Sequence, residues 1–245
     1  MPRFFVNKGD ITDGRIFIRN EDARHIARSL RMAVGEEVTV SDGEGTEYIC
    51  SLEKIRDELC ECSIMSCGAG RGEPPYSLTL FMAYPKGDKL ETVIQKAVEL
   101  GATRIVPFES SRCIKRPDAK RAEARLTRLE RIAEEAAKQC GRARLPKVEL
   151  PVSFREMLAD AKEHRLALFC YEGERTLSVR QLLEGYSGTP DSICAVVGSE
   201  GGFSPEEAEA AAAAGLITVG LGERILRCET APDSILSAIS YRFEL

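Results

Sequence analysis

The sequence predicts an α/β protein, with a small β-rich unit followed by a larger domain built on a mostly parallel sheet. Three observations predict it. Residues 1–70 carry short alternating apolar runs between turn signals. Gly68 to Pro75 (GAGRGEPP) is small and polar and ends in two prolines, a composition that halts regular structure and marks a linker. From Ser77 onward, apolar runs of strand length alternate with helical patterns, as they do along a parallel α/β sheet. These boundaries give domains at 1–70 and 75–245.

In the first unit Ile16, Ile18, Val38, Val40 and Ile49 fall in alternating runs, bounded by Asp13-Gly14, Asp42-Gly43 and Gly45. Between them Glu21 to Met32 reads as a helix with Ile26, Leu30 and Ala33 on one face. In the second unit SLTLFMAY (77–84) is the first strand. Asp88 and Glu91 are placed to cap a helix whose Leu90, Val93, Ile94, Ala97 and Val98 form one stripe. ATRIVPF (102–108) is the next strand. A long basic helix follows, with Leu126, Leu129, Ala133, Ala136 and Cys140 as its packed side. RLALFCYEG (165–173) is a further buried strand, Leu177 to Tyr186 a short helix, and Ala231 to Leu245 a terminal helix with Pro232 in its first turn.

Charge and cysteine usage narrow the function classes. The 245 residues carry a net charge of −5, so no global basic field advertises a polyanion. Local excess does: Met1 to Arg31 holds seven Lys/Arg against four Asp/Glu, and Arg112 to Lys147 holds twelve against five. Nine scattered cysteines, an odd number, read as reduced thiols of a cytoplasmic protein. No metal site is expected, because Cys60, Cys62 and Cys67 have no nearby histidine. No apolar run reaches membrane-spanning length, so no membrane partner is expected. The two histidines, His25 and His164, lie in unrelated contexts and suggest no nucleophilic triad. No Walker lysine follows a glycine loop, and GSEGGF lacks the G-x-G-x-x-G spacing of a dinucleotide fold.

The most informative stretch is Ala195 to Thr230, AVVGSEGGFSPEEAEAAAAAGLITVGLGERILRCET. An apolar strand ends at Val197, and Gly198, Gly201 and Gly202 then let the backbone approach a ligand closely. Ser204, Pro205 and Glu207 form an N-cap, a first-turn proline and a capping box. Gly215 closes that helix, Leu216 to Leu221 is the next strand, and GERILRCET is an apolar loop flanking Cys228 with Arg227 and Glu229. Two glycine-bearing loops after neighbouring strands sit at one edge of a parallel sheet, where α/β folds bind ligands.

GSEGGFSPEE followed by LGERILRCETA resembles the signature of SPOUT methyltransferases, specifically the family that methylates N3 of a uridine in 16S (small-subunit) ribosomal RNA. The resemblance extends to HIARSLRMAVGEEVTVSDGEG (25–45) and KAVELGATRIVPF (96–108) and so covers nearly the whole chain. Ser199 stands where the family usually has proline. The resemblance implies a C-terminal SPOUT domain with a trefoil knot, a small N-terminal PUA-like β-barrel, S-adenosyl-L-methionine (SAM) as methyl donor, and a homodimer. It implies 16S ribosomal RNA or the small ribosomal subunit as partner.

A methyl donor of this kind requires an apolar slot and backbone groups to orient it, but no metal and no covalent nucleophile. The residues expected to hold it are Tyr171, Gly198, Ser199, Glu200, Gly201, Leu221, Gly222, Ile225, Leu226, Arg227, Thr230 and Ala231. Arg227, with its rigid fork of donors, is expected to stabilise charge developing on the uracil oxygens. Glu200, Glu229 or water takes the N3 proton. Arg3, Arg24, Arg31, Lys86, Arg112, Arg121, Arg125, Gln139 and Arg142 are the expected RNA contacts. Two other functions fit the residues: a SPOUT methyltransferase for another RNA or atom, and a non-catalytic RNA-binding ribosome-assembly factor.

Overall fold

Thirteen strands and seven α-helices are seen in the computed structural model, which describes residues 1–114, 122–173 and 177–245. The chain divides into two compact units, one of 1–73 with 137–145, the other of 74–136 with 146–245. Among the described residues no helix is long and apolar enough to cross a membrane.

The first unit is one six-stranded sheet in the order β1 (Arg3–Phe5), β4 (Glu37–Ser41), β5 (Thr46–Arg56), β6 (Leu59–Ala69), β3 (Arg15–Arg19), β2 (Ile11–Thr12). Every pairing is antiparallel except β1 with β4. Asp13 and Gly14, both at positive φ, join β2 to β3 in the two-residue turn whose twist suits a hairpin. The core is Phe4, Ile16, Ile18, Ala23, Ile26, Val38, Val40, Cys50, Leu52, Cys60 and Cys62. Three cysteines thus serve as small apolar residues, and burial pushes the Cys62 thiol up to about 12. Ile49, expected inside, is only half-buried, because a bulge between Ile49 and Cys50 turns Cys50 inward instead.

The predicted helix over 21–32 is shorter and changes pitch. α1 (Asn20–Arg24) runs into a π-turn at His25–Ser29, and Arg31 lies at positive φ. Its buried residues are Ala23 and Ile26, while Leu30 and Ala33, expected on the same face, are exposed. A 3.6-residue period fails once the wider turn intervenes.

The stretch expected to be a free linker is docked. The Glu73 carboxylate accepts from the amides of Ala143 (3.0 Å) and Arg144 (2.9 Å) and from the Arg142 guanidinium (2.7 Å). Gly70 lies so close to Ala143 that a Cβ there would overlap it. Segment 137–145, which the sequence assigns to the second domain, is thereby knitted into the first unit.

The second unit carries a parallel sheet in the order β10 (Val152–Ser153), β8 (Arg104–Glu109), β7 (Ser77–Ala83), β12 (Ser192–Val197), β11 (Leu166–Cys170), β13 (Ile217–Val219), with β9 (Lys147–Val148) also on β8. One sheet face buries Phe81, Val106, Phe108, Phe169 and Val196 against Met157 and Ala161 of α4 (Phe154–Ala161) and Ala208 and Ala211 of α6 (Pro205–Ala213). Alternation along the strands turns Leu78, Leu80 and Met82 the other way. α2 (Lys89–Glu99) and α5 (Val179–Gly185) both pack on α7 (Thr230–Phe243), which also touches β12.

Local chemistry explains most ends. Ser204 and Glu207 form the capping box of α6, with Pro205 in the first turn, and Gly215 follows its last turn at positive φ. Asp88 does not cap α2 with its side chain; it offers only its carbonyl, to the Glu91 amide, and the Glu91 carboxylate is held by Arg128 at 2.8 Å. On the long helix α3 (Ala122–Cys140) the buried side is Leu129, Ala133, Ala136 and Ala137, whereas Cys140, expected in that stripe, is exposed.

Candidate active site

In a parallel sheet all strands end on the same side, so the loops after β7, β8, β11, β12 and β13 meet at one edge. The loop after β12, Gly198 to Ser204, is pinned from below by Phe203. That ring is 1% exposed and stacks on Phe108 (centroids 6.2 Å, planes 7° apart) and Phe169 (4.2 Å). The turn folds tightly above it: the Gly202 amide bonds the Ser199 carbonyl at 3.0 Å. A Cβ on Gly198 would meet Gly202 at 3.1 Å, and Gly202, at φ +59°, lies against the Glu172 carboxylate. Glycine is required here by close approach and by backbone sign together.

The loop after β13 is strapped to its neighbours through backbone groups. The Gly220 amide bonds the Leu177 carbonyl, the Val179 amide bonds the Gly220 carbonyl, and the Tyr171 amide bonds the Val219 carbonyl, all within 3.0 Å. At its far end the Arg227 carbonyl accepts from Thr230 and Ala231 at 2.9 Å and so starts α7. Leu221 and Leu226 are half-buried and Cys228 is buried. Ile225, expected to line an apolar slot, is instead 90% exposed: it sits at the loop tip, where no element covers it.

A lysine that sequence reasoning missed joins the two loops. Lys89 Nζ, on the first residue of α2, lies 3.1 Å from Glu200 Oε1 and 3.3 Å from Glu229 Oε2. The Glu200 carboxylate also accepts from the Lys86 amide at 3.2 Å and 3.3 Å. The Cys228 thiol donates to Glu229 Oε2 at 3.1 Å, and the Lys89 ammonium donates to Cys228 Sγ at 3.6 Å. Burial pushes Glu200 up, but its own amide, the Lys89 ammonium and the Lys86 amide outweigh that and hold it below the ordinary carboxylate range. Cys228 first, then its own amide and Lys89, hold Glu229 low as well. Burial and the adjacent Glu229 push the Cys228 thiol up to about 12, so it remains protonated and donates.

The loop after β8 closes the other flank. Buried Glu207 accepts the Ser111 amide at 2.7 Å while completing its capping box with the Ser204 amide at 3.0 Å. Arg112 donates to the Gly201 carbonyl at 3.3 Å. Arg125 stands over the Tyr84 ring at 5.5 Å and donates to the Gly87 carbonyl at 3.3 Å. Gly198 to Gly201, Leu221, Gly222, Leu226 and Arg227 therefore belong to loops clasped at one sheet edge, with Tyr171 beside them and Thr230 and Ala231 in the first turn of α7. The Arg227 side chain is exposed.

The expected RNA contacts divide sharply. Arg24, Arg31, Lys86, Arg112 and Gln139 are exposed, Arg24 in an open pair with Glu58. Arg142 is 2% exposed with its guanidinium on Glu73, and Arg3 is half-buried, held by Glu47 and by the Arg142 carbonyl. Both guanidiniums are engaged by carboxylates inside the first unit. Arg121 lies outside the described residues.

A parallel sheet with glycine-bearing loops gathered at one edge, in a chain that also carries a separate six-stranded sheet unit, is the fold class of SPOUT methyltransferases with a PUA-like domain. The RNA methyltransferase domain family matches residues 72–240, and the RNA methyltransferase PUA domain family matches residues 18–65. The ribosomal RNA small subunit methyltransferase E of Bacillus subtilis is 34% identical over all of this chain and 98% of its own length. A Neisseria gonorrhoeae structure of that enzyme bound to S-adenosyl methionine is 30% identical, with TM-score 0.85 over 98% of this chain and 97% of the other. A Legionella pneumophila protein in complex with the bound cofactor SAM gives 29% identity and TM-score 0.86 over 98% and 96%. The chain belongs to the ribosomal RNA small subunit methyltransferase E family.

Proposed function

We propose that this protein binds SAM between the Gly198–Ser204 and Leu221–Glu229 loops and methylates N3 of a uridine in 16S ribosomal RNA, acting as a homodimer. The observation that carries the reading is the pair of loops clasped at the sheet edge with the exposed Arg227 on one of them. The residues present fit the cofactor. Half-buried Gly198, Gly201 and Gly202 offer backbone groups at the sheet edge, Leu221 and Leu226 offer apolar surface, and Ser199 Oγ is buried without a hydrogen-bond partner among the described residues. SAM bound there supplies an electrophilic methyl group.

Each residue then has a defined task. Backbone groups of Gly198–Gly201 and of Leu221–Arg227 orient the donor. Arg227 presents its guanidinium fork to the uracil oxygens flanking N3 and stabilises the negative charge that grows there as the proton leaves. Glu200 and Glu229 are held as carboxylates by their donors and brace the site, and the N3 proton leaves to one of them or to water. The exposed Arg24, Arg31, Lys86, Arg112 and Gln139 contact the RNA backbone, and Arg125 stands near the splayed base. The chain's return from edge strand β13 to α7, which packs on α2, α5 and β12, supports the threaded course of a trefoil knot.

Calorimetric titration with SAM, followed by methylation of small subunits from cells lacking the protein and mapping of the modified atom, tests the reading. SAM binding and a methyl group on uridine N3 are expected. A methyl group on ribose or another base would overturn the N3 assignment, and absence of SAM binding would leave a non-catalytic RNA-binding protein.

A further inference from the structure

Lys89 sits where helix physics disfavours it. It is the first residue of α2, where a cation opposes the macrodipole, and no side-chain cap from Asp88 supports that end. A residue that breaks a local rule is there for something non-local. Its ammonium spans two carboxylates from loops separated in sequence, Glu200 of the glycine turn and Glu229 at the start of α7. Among the described residues no other ion pair reaches either carboxylate. Without Lys89, two glutamates and the Cys228 thiol would face one another with no positive charge between them.

We propose that Lys89 is a positioning residue whose ammonium clamps the Gly198–Ser204 loop to the Leu221–Glu229 loop and so sets the affinity for SAM. The inference rests on the cofactor assignment above. Lys89 touches no reacting atom in this scheme; it acts through Glu200 and Glu229, fixing the spacing of the loops that carry the cofactor's backbone partners. With the clamp made, the loops are held in binding geometry before the ligand arrives, and the ordering cost on binding is reduced. The groups on the clamp are Lys89, Glu200, Glu229 and Cys228, and the Lys86 amide fixes Glu200 from the adjoining loop.

The test uses the full-length protein and calorimetric titration with SAM and with S-adenosylhomocysteine. Lys89→Met removes the charge and keeps most of the side-chain length; Lys89→Arg keeps the charge. We expect Lys89→Met to weaken both ligands about tenfold or more, as loss of preorganisation does, and Lys89→Arg to recover most of that. Glu200→Gln with Glu229→Gln removes the partners, and adding Lys89→Met to that pair should then change affinity little, because the clamp is already gone. Additive losses would overturn the proposal, as would wild-type affinity in a folded Lys89→Met protein. If Lys89→Met fails to fold, the arginine variant and the double glutamine background still decide it. Failure of the cofactor assignment itself is distinct: wild-type protein would then bind neither ligand.

Discussion

Gly201 rests directly on Arg112: a Cβ built on the glycine would lie 2.9 Å from the Arg112 Cβ and 2.9 Å from its carbonyl oxygen. The oxygen is main chain and the Cβ position is fixed by the main chain, so a side-chain swing cannot relieve the overlap. Gly201→Ala must therefore separate the glycine turn from the Ser110–Arg112 loop, which Glu207 also ties to α6 through the Ser111 amide. We expect a stability loss of about 1–3 kcal/mol, typical of overpacking, and a fall in SAM affinity larger than the stability change explains. Thermal melting and calorimetry on the same preparation check both, and unchanged SAM affinity would remove this turn from the cofactor site.

Arg227 is exposed, while its carbonyl, not its side chain, starts α7. Arg227→Ala keeps that backbone contact. Its melting temperature and SAM affinity should stay near wild type, whereas kcat for RNA methylation should drop about 10²–10³-fold, the scale of losing one preorganised donor to a developing anion. A loss confined to KM would instead make Arg227 a substrate-binding residue.

Arg142 and Arg31 look alike in the sequence and should behave oppositely. Arg142→Met strips the half-buried Glu73 carboxylate of the buried guanidinium, leaving two amide donors, and should cost about 3 kcal/mol. Arg31→Ala removes an exposed side chain and should leave stability within about 0.5 kcal/mol. If Arg31 contacts a phosphate, its loss should also lower the salt slope of RNA binding by about 0.7. Melting curves and RNA titrations across salt concentrations separate the two roles.

That contrast shows what a sequence can carry. The α6 capping box, the hairpin turn at Asp13-Gly14 and the strand-helix alternation after Ser77 were legible because short-range spacing sets each of them. Lys89, the burial of Arg142 and the exposure of Ile225 were not. Lys89 meets partners more than a hundred residues away, Arg142 is buried by a carboxylate from the supposed linker, and Ile225 is apolar in a loop whose course only tertiary contacts define. The motif residues told which loops form the site; they were silent on what fastens those loops together.

Arg104 offers a pH test of the second unit that does not involve the active site. On β8, its guanidinium makes paired bonds to Glu149 (3.0 Å and 2.9 Å) and to Asp160 of α4 (3.0 Å and 2.5 Å). The Arg104 hydrogen bonds, helped by Lys147 at 2.7 Å, hold the Glu149 carboxyl down at about 2. An unfolded-chain Glu titrates near about 4.3, so the folded state favours the charged form. The stabilisation is fully present above that value and is lost as pH falls through about 2, once the folded state also takes up the proton. Arg104→Met should therefore cost about 2 kcal/mol at neutral pH, on the scale of hydrogen bonds to charged groups. The gap to wild type should narrow as pH drops below about 4, because the wild-type pairing is being titrated away. Denaturant melts of both proteins from about pH 7 down to about pH 2.5 measure that gap. A gap that stays constant over the range would mean that Arg104 stabilises through its contact with the Phe81 ring (5.8 Å) rather than through the carboxylates.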